Sequence, residues 1–192
     1  MRTPSHSYPN DESSTHRAGF TLIEVLVVIS VTALLGALVI TSSKAGERQI
    51  ALTIETQKLA SVLSRAKSLA LATYADVNPN RCGYGVLVDG AAKTYSLFAY
   101  QEPNPPNCAS LSSIPPDFRA ILSTYRLDSR VTFENAADSL SIVLFVPPNP
   151  ATLLSADDGA TFTATALKVH LVTSDGVARR AITVTPFGQI NF

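Results

Sequence analysis

Residues 20–40 form an apolar run whose only charge is Glu24. A charged group deep in a membrane span costs on the order of 2.5–3.5 kcal/mol on insertion scales, and such residues usually mark function with a partner. Near the start of a helix the same carboxylate is favoured by the helix dipole. A cut between Gly19 and Phe20 would place a new α-amine four residues before Glu24. The corresponding ammonium of another subunit would then neutralise the carboxylate within lipid. The plainer alternative leaves Glu24 in the headgroup layer.

Other chemistry-bearing residues are sparse. Cys82 and Cys108 are the only cysteines. Without supporting histidines they do not make a zinc site, which leaves a disulfide or two buried thiols. His170 is the only histidine beyond residue 20, so no second histidine is present to activate a nucleophile. There is no Walker loop, and Gly83-Tyr84-Gly85 lacks the third glycine of a dinucleotide fingerprint. Asp157-Asp158-Gly159 lacks the spacing of a calcium loop and reads as exposed turn acids. No catalytic residue, metal or cofactor is expected, and the chain does not read as an enzyme. Lys168, Arg179 and Arg180 form a basic group near the C-terminus. Phosphate binding needs several cations on one face, whereas adjacent Arg179 and Arg180 in a strand point to opposite faces.

These residues need a helix and a strand-rich domain to position them. At about 1.5 Å per residue, a helix over 20–40 spans roughly one hydrocarbon core. It is long for a signal peptide, and the small residues Ala18 and Gly19 precede it rather than follow it. Helical spacing continues through Leu52, Leu59, Val62, Leu63, Ala66, Leu69, Ala70 and Thr73, a narrow apolar stripe. Glu47, Gln49, Glu55, Lys58, Ser61, Arg65 and Lys67 lie mostly off it. The first proline after residue 20 is Pro79, so one helix over 20–74 is expected, its stripe packed on a sheet of the same chain. Beyond it the period changes to two. Strands are expected at 83–88, 94–100, 121–127, 130–134, 140–146, 164–173 and 177–185, with a short one in 187–192. Asp89-Gly90 and Ser174-Asp175-Gly176 are turn signals. Two proline-rich insertions, 101–116 and 147–160, are expected as surface loops. The fold class is α+β, one long helix on a sheet of six or seven strands.

Charge excludes bulk electrostatic attraction to nucleic acid. The chain has 15 basic and 15 acidic residues, and its mean hydropathy of +0.19 fits an apolar segment plus a real core. The expected organisation is a polar leader at 1–19, a membrane helix at 20–40, its continuation at 41–75 and a β-rich domain at 76–192.

Gly19-Phe20-Thr21-Leu22-Ile23-Glu24, followed by Val25-Leu26-Val27-Val28-Ile29, resembles the processing signature of type IV pilins and the pseudopilins of type II secretion systems. The resemblance covers residues 17–40. It implies that a membrane prepilin peptidase cuts between Gly19 and Phe20 and methylates the Phe20 amine. It further implies that Glu24 pairs with the Phe20 amine of a neighbouring subunit in a helical filament. Its fold would be the pilin fold. The chain would be anchored in the inner membrane with the C-terminal domain periplasmic or extracellular. The leader is long for the family and nearly neutral, and no proline stands near Thr41, where many pilins have one. In such an extracytoplasmic domain the pair Cys82 and Cys108 reads as a disulfide.

The first functional reading is structural: a minor pseudopilin of a type II secretion system or a minor type IV pilin, whose partners are the peptidase and other pilins. The alternative is a minor pilin that binds DNA during uptake through Lys168, Arg179 and Arg180. Some minor pilins bind DNA near the C-terminus, but the tail Gly188-Gln189-Ile190-Asn191-Phe192 holds no cation. A plain membrane-anchored enzyme or receptor requires the Phe20–Glu24 resemblance to be coincidental.

Overall fold

The computed structural model describes residues 19–73, 81–101, 108, 111–147 and 151–192, with the backbone alone at 39–45, 73 and 151. The expected leader up to residue 18, Tyr74, Pro79 and residues 102–107 of the first proline-rich insertion lie outside the described residues.

The chain divides into two compact units, Met1–Ser43 and Lys44–Phe192. Helix α1 (Leu22–Thr73) contributes to both, with 52 residues and no proline. It begins at Leu22 rather than at the expected Phe20, because Thr21 supplies its cap. In the first unit every described side chain of α1 is exposed.

In the second unit the strands are β1 (Arg81–Asp89), β2 (Thr94–Gln101), β3 (Arg119–Arg126), β4 (Val131–Glu134), β5 (Ile142–Val146), β6 (Ala151–Ser155), β7 (Leu167–Thr173), β8 (Arg179–Val184) and β9 (Ile190–Asn191). They form two sheets rather than the single sheet expected, in the orders β3-β2-β1-β5-β6 and β4-β7-β8-β9. All pairings between these strands are antiparallel. The division arises at β4, which follows β3 in sequence but pairs with β7, from Val131↔Thr173 to Glu134↔His170. Strand β6 corrects the expectation of a loop over 147–160: it pairs with β5 through five residue pairs. It lies at a sheet edge, where nearby prolines are tolerated.

The helical stripe builds the main core. Leu52, Leu59, Val62, Leu63, Ala66 and Ala70 are buried, and Leu69 packs against them. They meet Val86, Leu97 and Phe145 of the first sheet and Val169, Leu171 and Ile182 of the second. Leu59 and Leu63 are fully buried, each contributing about 1.5–3 kcal/mol. Glu55, expected off the stripe, is buried at 3% exposure. It stands three residues after Leu52 and four before Leu59, so the helix turns it towards the same face. Lys58 bonds one of its oxygens at 2.8 Å, and Oε2 has no partner.

A second core lies on the other face of the five-stranded sheet. Cys82, Phe98, Tyr100, Ile142, Leu144 and Val146 are covered by Ile114, with Phe118 and Cys108 beside it. The described end of the first insertion is therefore a lid on the sheet, and Ile114 is only 1% exposed. Close packing also explains Gly83 and Gly85. A Cβ on Gly85 would lie 2.3 Å from the Val143 carbonyl oxygen and 2.5 Å from the Phe98 ring. One on Gly83 would lie 2.3 Å from the Phe145 carbonyl oxygen.

Candidate functional site

The first turn of α1 is locally encoded. Thr21 is the N-cap, and the backbone N–H of Glu24 donates to its Oγ1 at 3.3 Å. That N–H also reaches the Thr21 carbonyl at 3.1 Å, as does Val25 N–H at 3.3 Å. Thr21-Leu22-Ile23-Glu24 has the Thr-x-x-Glu pattern of a capping box. Glu24 thus occupies the third helical position, where unsatisfied amides and the helix dipole favour a carboxylate. Sequence reasoning missed this cap, although the four-residue spacing displayed it.

Gly19 and Phe20 precede the helix. No atom lies within 4 Å of the position a Cβ on Gly19 would take, so its backbone is open to approach. Phe20 is 82% exposed. With Glu24, Val25, Val28 and Ile29 it lines a shallow apolar depression of about 240 Å³. Ser30 donates to the Leu26 carbonyl at 2.8 Å and Thr32 to that of Val28 at 2.9 Å. These back-bonds satisfy the hydroxyls within the helix itself, so Glu24 is the one ionisable side chain on the described part of this segment. Among the described residues no helix is long and apolar enough to cross a membrane. Of the span expected at 20–40, the side chains of residues 39 and 40 lie outside the described ones.

Cys82 and Cys108 form a disulfide with Cα atoms 5.2 Å apart. It ties the first residues of β1 to the start of the lid carrying Ile114. The turn acids have structural partners. Asp157 accepts from Ser155 at 2.6 Å and from Thr161 N–H and Oγ1 at 3.0 and 2.6 Å, which holds its carboxyl down at about 2. Asp158 accepts from Arg119 at 2.8 Å. Among the described residues no group of three acidic, histidine or cysteine side chains is placed to hold a metal.

The basic group at the C-terminus is not brought together on one face. Arg179 pairs across the strands with Val172 and Arg180 with Leu171, which puts them on opposite faces. Arg179 is ion-paired with Glu134 at 3.2 Å and Lys168 with Asp138 at 3.0 Å. Asp138 also meets His170 Nε2 at 2.8 Å. Hydrogen bonds from Lys168 and then His170 hold the Asp138 carboxyl below its usual range. The lone histidine of this domain is therefore part of a polar network on the outer face of the four-stranded sheet.

No curated protein and no solved structure matches the chain. A family model described as the prokaryotic N-terminal methylation motif matches residues 14–40. That match covers the open Gly19–Phe20 peptide, the capped first turn and Glu24, and with them the chain carries the prepilin signature of type IV pilins and pseudopilins.

Proposed function

We propose that the protein is a structural subunit, a minor pseudopilin of a type II secretion system or a minor type IV pilin. A prepilin peptidase cuts it between Gly19 and Phe20 and methylates the new amine. The apolar half of α1 anchors it in the inner membrane and later enters a filament, while the β-domain remains outside the cytoplasm. The observation that carries this reading is the matched motif on a helix whose described side chains from Leu22 to Leu38 are all exposed. Such a surface needs lipid or other apolar helices to cover it. The helix packed on antiparallel sheets in the second unit is consistent with the pilin fold.

Within the filament Glu24 receives the Phe20 ammonium of the adjacent subunit, so that neither charge is left alone in an apolar medium. N-terminal mass analysis of membrane-extracted protein tests the processing step. A mature chain beginning with N-methylated Phe20 is expected, and any other start refutes the reading. Glu24→Val then tests the pairing. It removes a charge from lipid, so insertion is retained, but it leaves the neighbour's ammonium without a partner, which costs several kcal/mol. The variant should be cleaved and membrane-resident yet fail to co-purify with partner pilins; assembly equal to the parent refutes the contact.

A further inference from the structure

Strand β3 is the longest open edge of the described fold. The five-stranded sheet ends on β3 and β6. Strand β6 has five residues, and a bridge from Leu154 to Thr163 partly closes its outer side. The other sheet ends on β4, of four residues, and β9, of two. Strand β3 has eight residues, and among the described residues no backbone group outside its sheet bonds positions 120–126. Ile121 and Leu122 stand on it at 51% and 50% exposure. A long edge with unpaired peptide groups and exposed apolar side chains is a template for adding another strand.

Charge decides which strand it takes. Beside β3 lies an open groove of about 790 Å³ whose lining includes Ile54, Lys58, Arg65, Tyr95, Tyr125 and Arg126. Lys58 is engaged by Glu55. Arg65 reaches only the Tyr125 hydroxyl, at 3.5 Å, and Arg126 has no ion-pair partner among the described residues. Among the described residues no carboxylate lines the groove. Its two faces also differ. Tyr125 pairs with Tyr95 on the helix side, and the rings stack 5.2 Å apart. Ile121 pairs with Phe98 on the opposite face. Arg126 pairs with Thr94 and so belongs to the Ile121 face, at the end of the strand. A strand laid along β3 would therefore meet Arg65, Lys58 and Tyr125 with alternate side chains, and a largely apolar surface with the others.

We propose that the β3 edge and its groove bind an extended segment of a partner protein by strand addition, with acidic side chains at every second position facing Arg65 and Lys58 on the helix side. A second copy of this chain fits poorly. Antiparallel self-pairing centred on Leu122 and Ser123 would bring two cationic grooves together on one face. Nucleic acid would leave the unpaired peptide groups and the exposed Ile121 and Leu122 without a role. The inference goes beyond the filament reading and does not depend on it, since neither processing nor helix packing requires strand addition.

The test uses the full chain in detergent and a fluorescent eight-residue peptide alternating glutamate and valine. Saturable micromolar binding is expected, with hydrogen-exchange protection confined to residues 119–126 and the adjoining helix. The same peptide N-methylated at alternate amides, which keeps its charges but loses its backbone donors, should not bind. Nor should a peptide with lysine replacing glutamate. Arg65→Glu with Lys58→Gln should weaken binding by about tenfold or more. Absence of binding, binding that survives N-methylation, or protection elsewhere overturns the proposal. So does a thymidine oligonucleotide that binds the groove with the same sensitivity to the two variants, or self-association that protects β3.

Discussion

Opening the Cys82–Cys108 bridge should destabilise the β-domain by about 3.5 kcal/mol. The bridged residues are separated by 26 positions, and the chain-entropy relation for a loop of that size yields roughly 3.5 kcal/mol at 25 °C. The location adds a structural consequence. Cys82 is 1% exposed and packs in the core formed with Phe98, Tyr100 and Ile114. Cys108 holds the start of the segment whose Ile114 covers that core. Losing the bridge therefore loosens the cover as well as enlarging the unfolded ensemble. Urea unfolding of the full chain, followed by tyrosine fluorescence with the bridge oxidised and reduced, measures the free-energy difference. Cys82→Ala with Cys108→Ala supplies a control free of thiol chemistry. In thermal unfolding the difference corresponds to a fall of roughly 7–14 °C for a domain of this size. Hydrogen exchange should increase first at residues 111–118. A change below about 1 kcal/mol, or unaltered exchange in that segment, would refute the assignment of the lid to the bridge.

Gly85→Ala should destabilise the domain by about 3 kcal/mol, because the added methyl meets both the Val143 carbonyl and the Phe98 ring; a melting temperature equal to the parent's would contradict the packing. The Asp175 carboxyl is held at about 2 by the Thr173 hydroxyl and then by Arg48. Because its folded value is depressed, its contribution is present above about pH 4 and is lost as the pH falls through 2. Thermal melts should decline over that window less steeply in Asp175→Asn than in the parent, and identical slopes would dismiss the contact.

Features set by local spacing were legible from the sequence. The buried stripe from Leu52 to Ala70 follows helical period, and both hairpin turns lie where Asp89-Gly90 and Ser174-Asp175-Gly176 mark them. Features set by distant partners were not. Glu55 looks like an ordinary surface acid until Leu52 and Leu59 are seen to share its face. Strand β6 is short and follows Pro147, Pro148 and Pro150, so only its pairing with β5 distinguishes it from loop. Period-two alternation in β4 states which side chains share a face but not that its partner is β7. For the same reason the sequence assigns Gly83 and Gly85 no role once the dinucleotide fingerprint is seen to be incomplete, whereas the backbone of β5 and the Phe98 ring are what require them. Near Glu24 the signal was local and strong, and the capping role of Thr21 was present in the same residues.

The core formed by α1 has a consequence in time. Leu59 and Leu63 are made early, but Ile182 and Val184, which complete their surroundings, come from β8 near the end of the chain. At bacterial rates of about 5–20 residues per second, synthesis of the intervening chain takes on the order of ten seconds. Throughout that interval the stripe lacks the second sheet's share of its cover, and until β7 emerges β4 has no partner. Slowing the ribosome between β3 and β8 should therefore increase aggregation of the nascent chain without altering the finished fold.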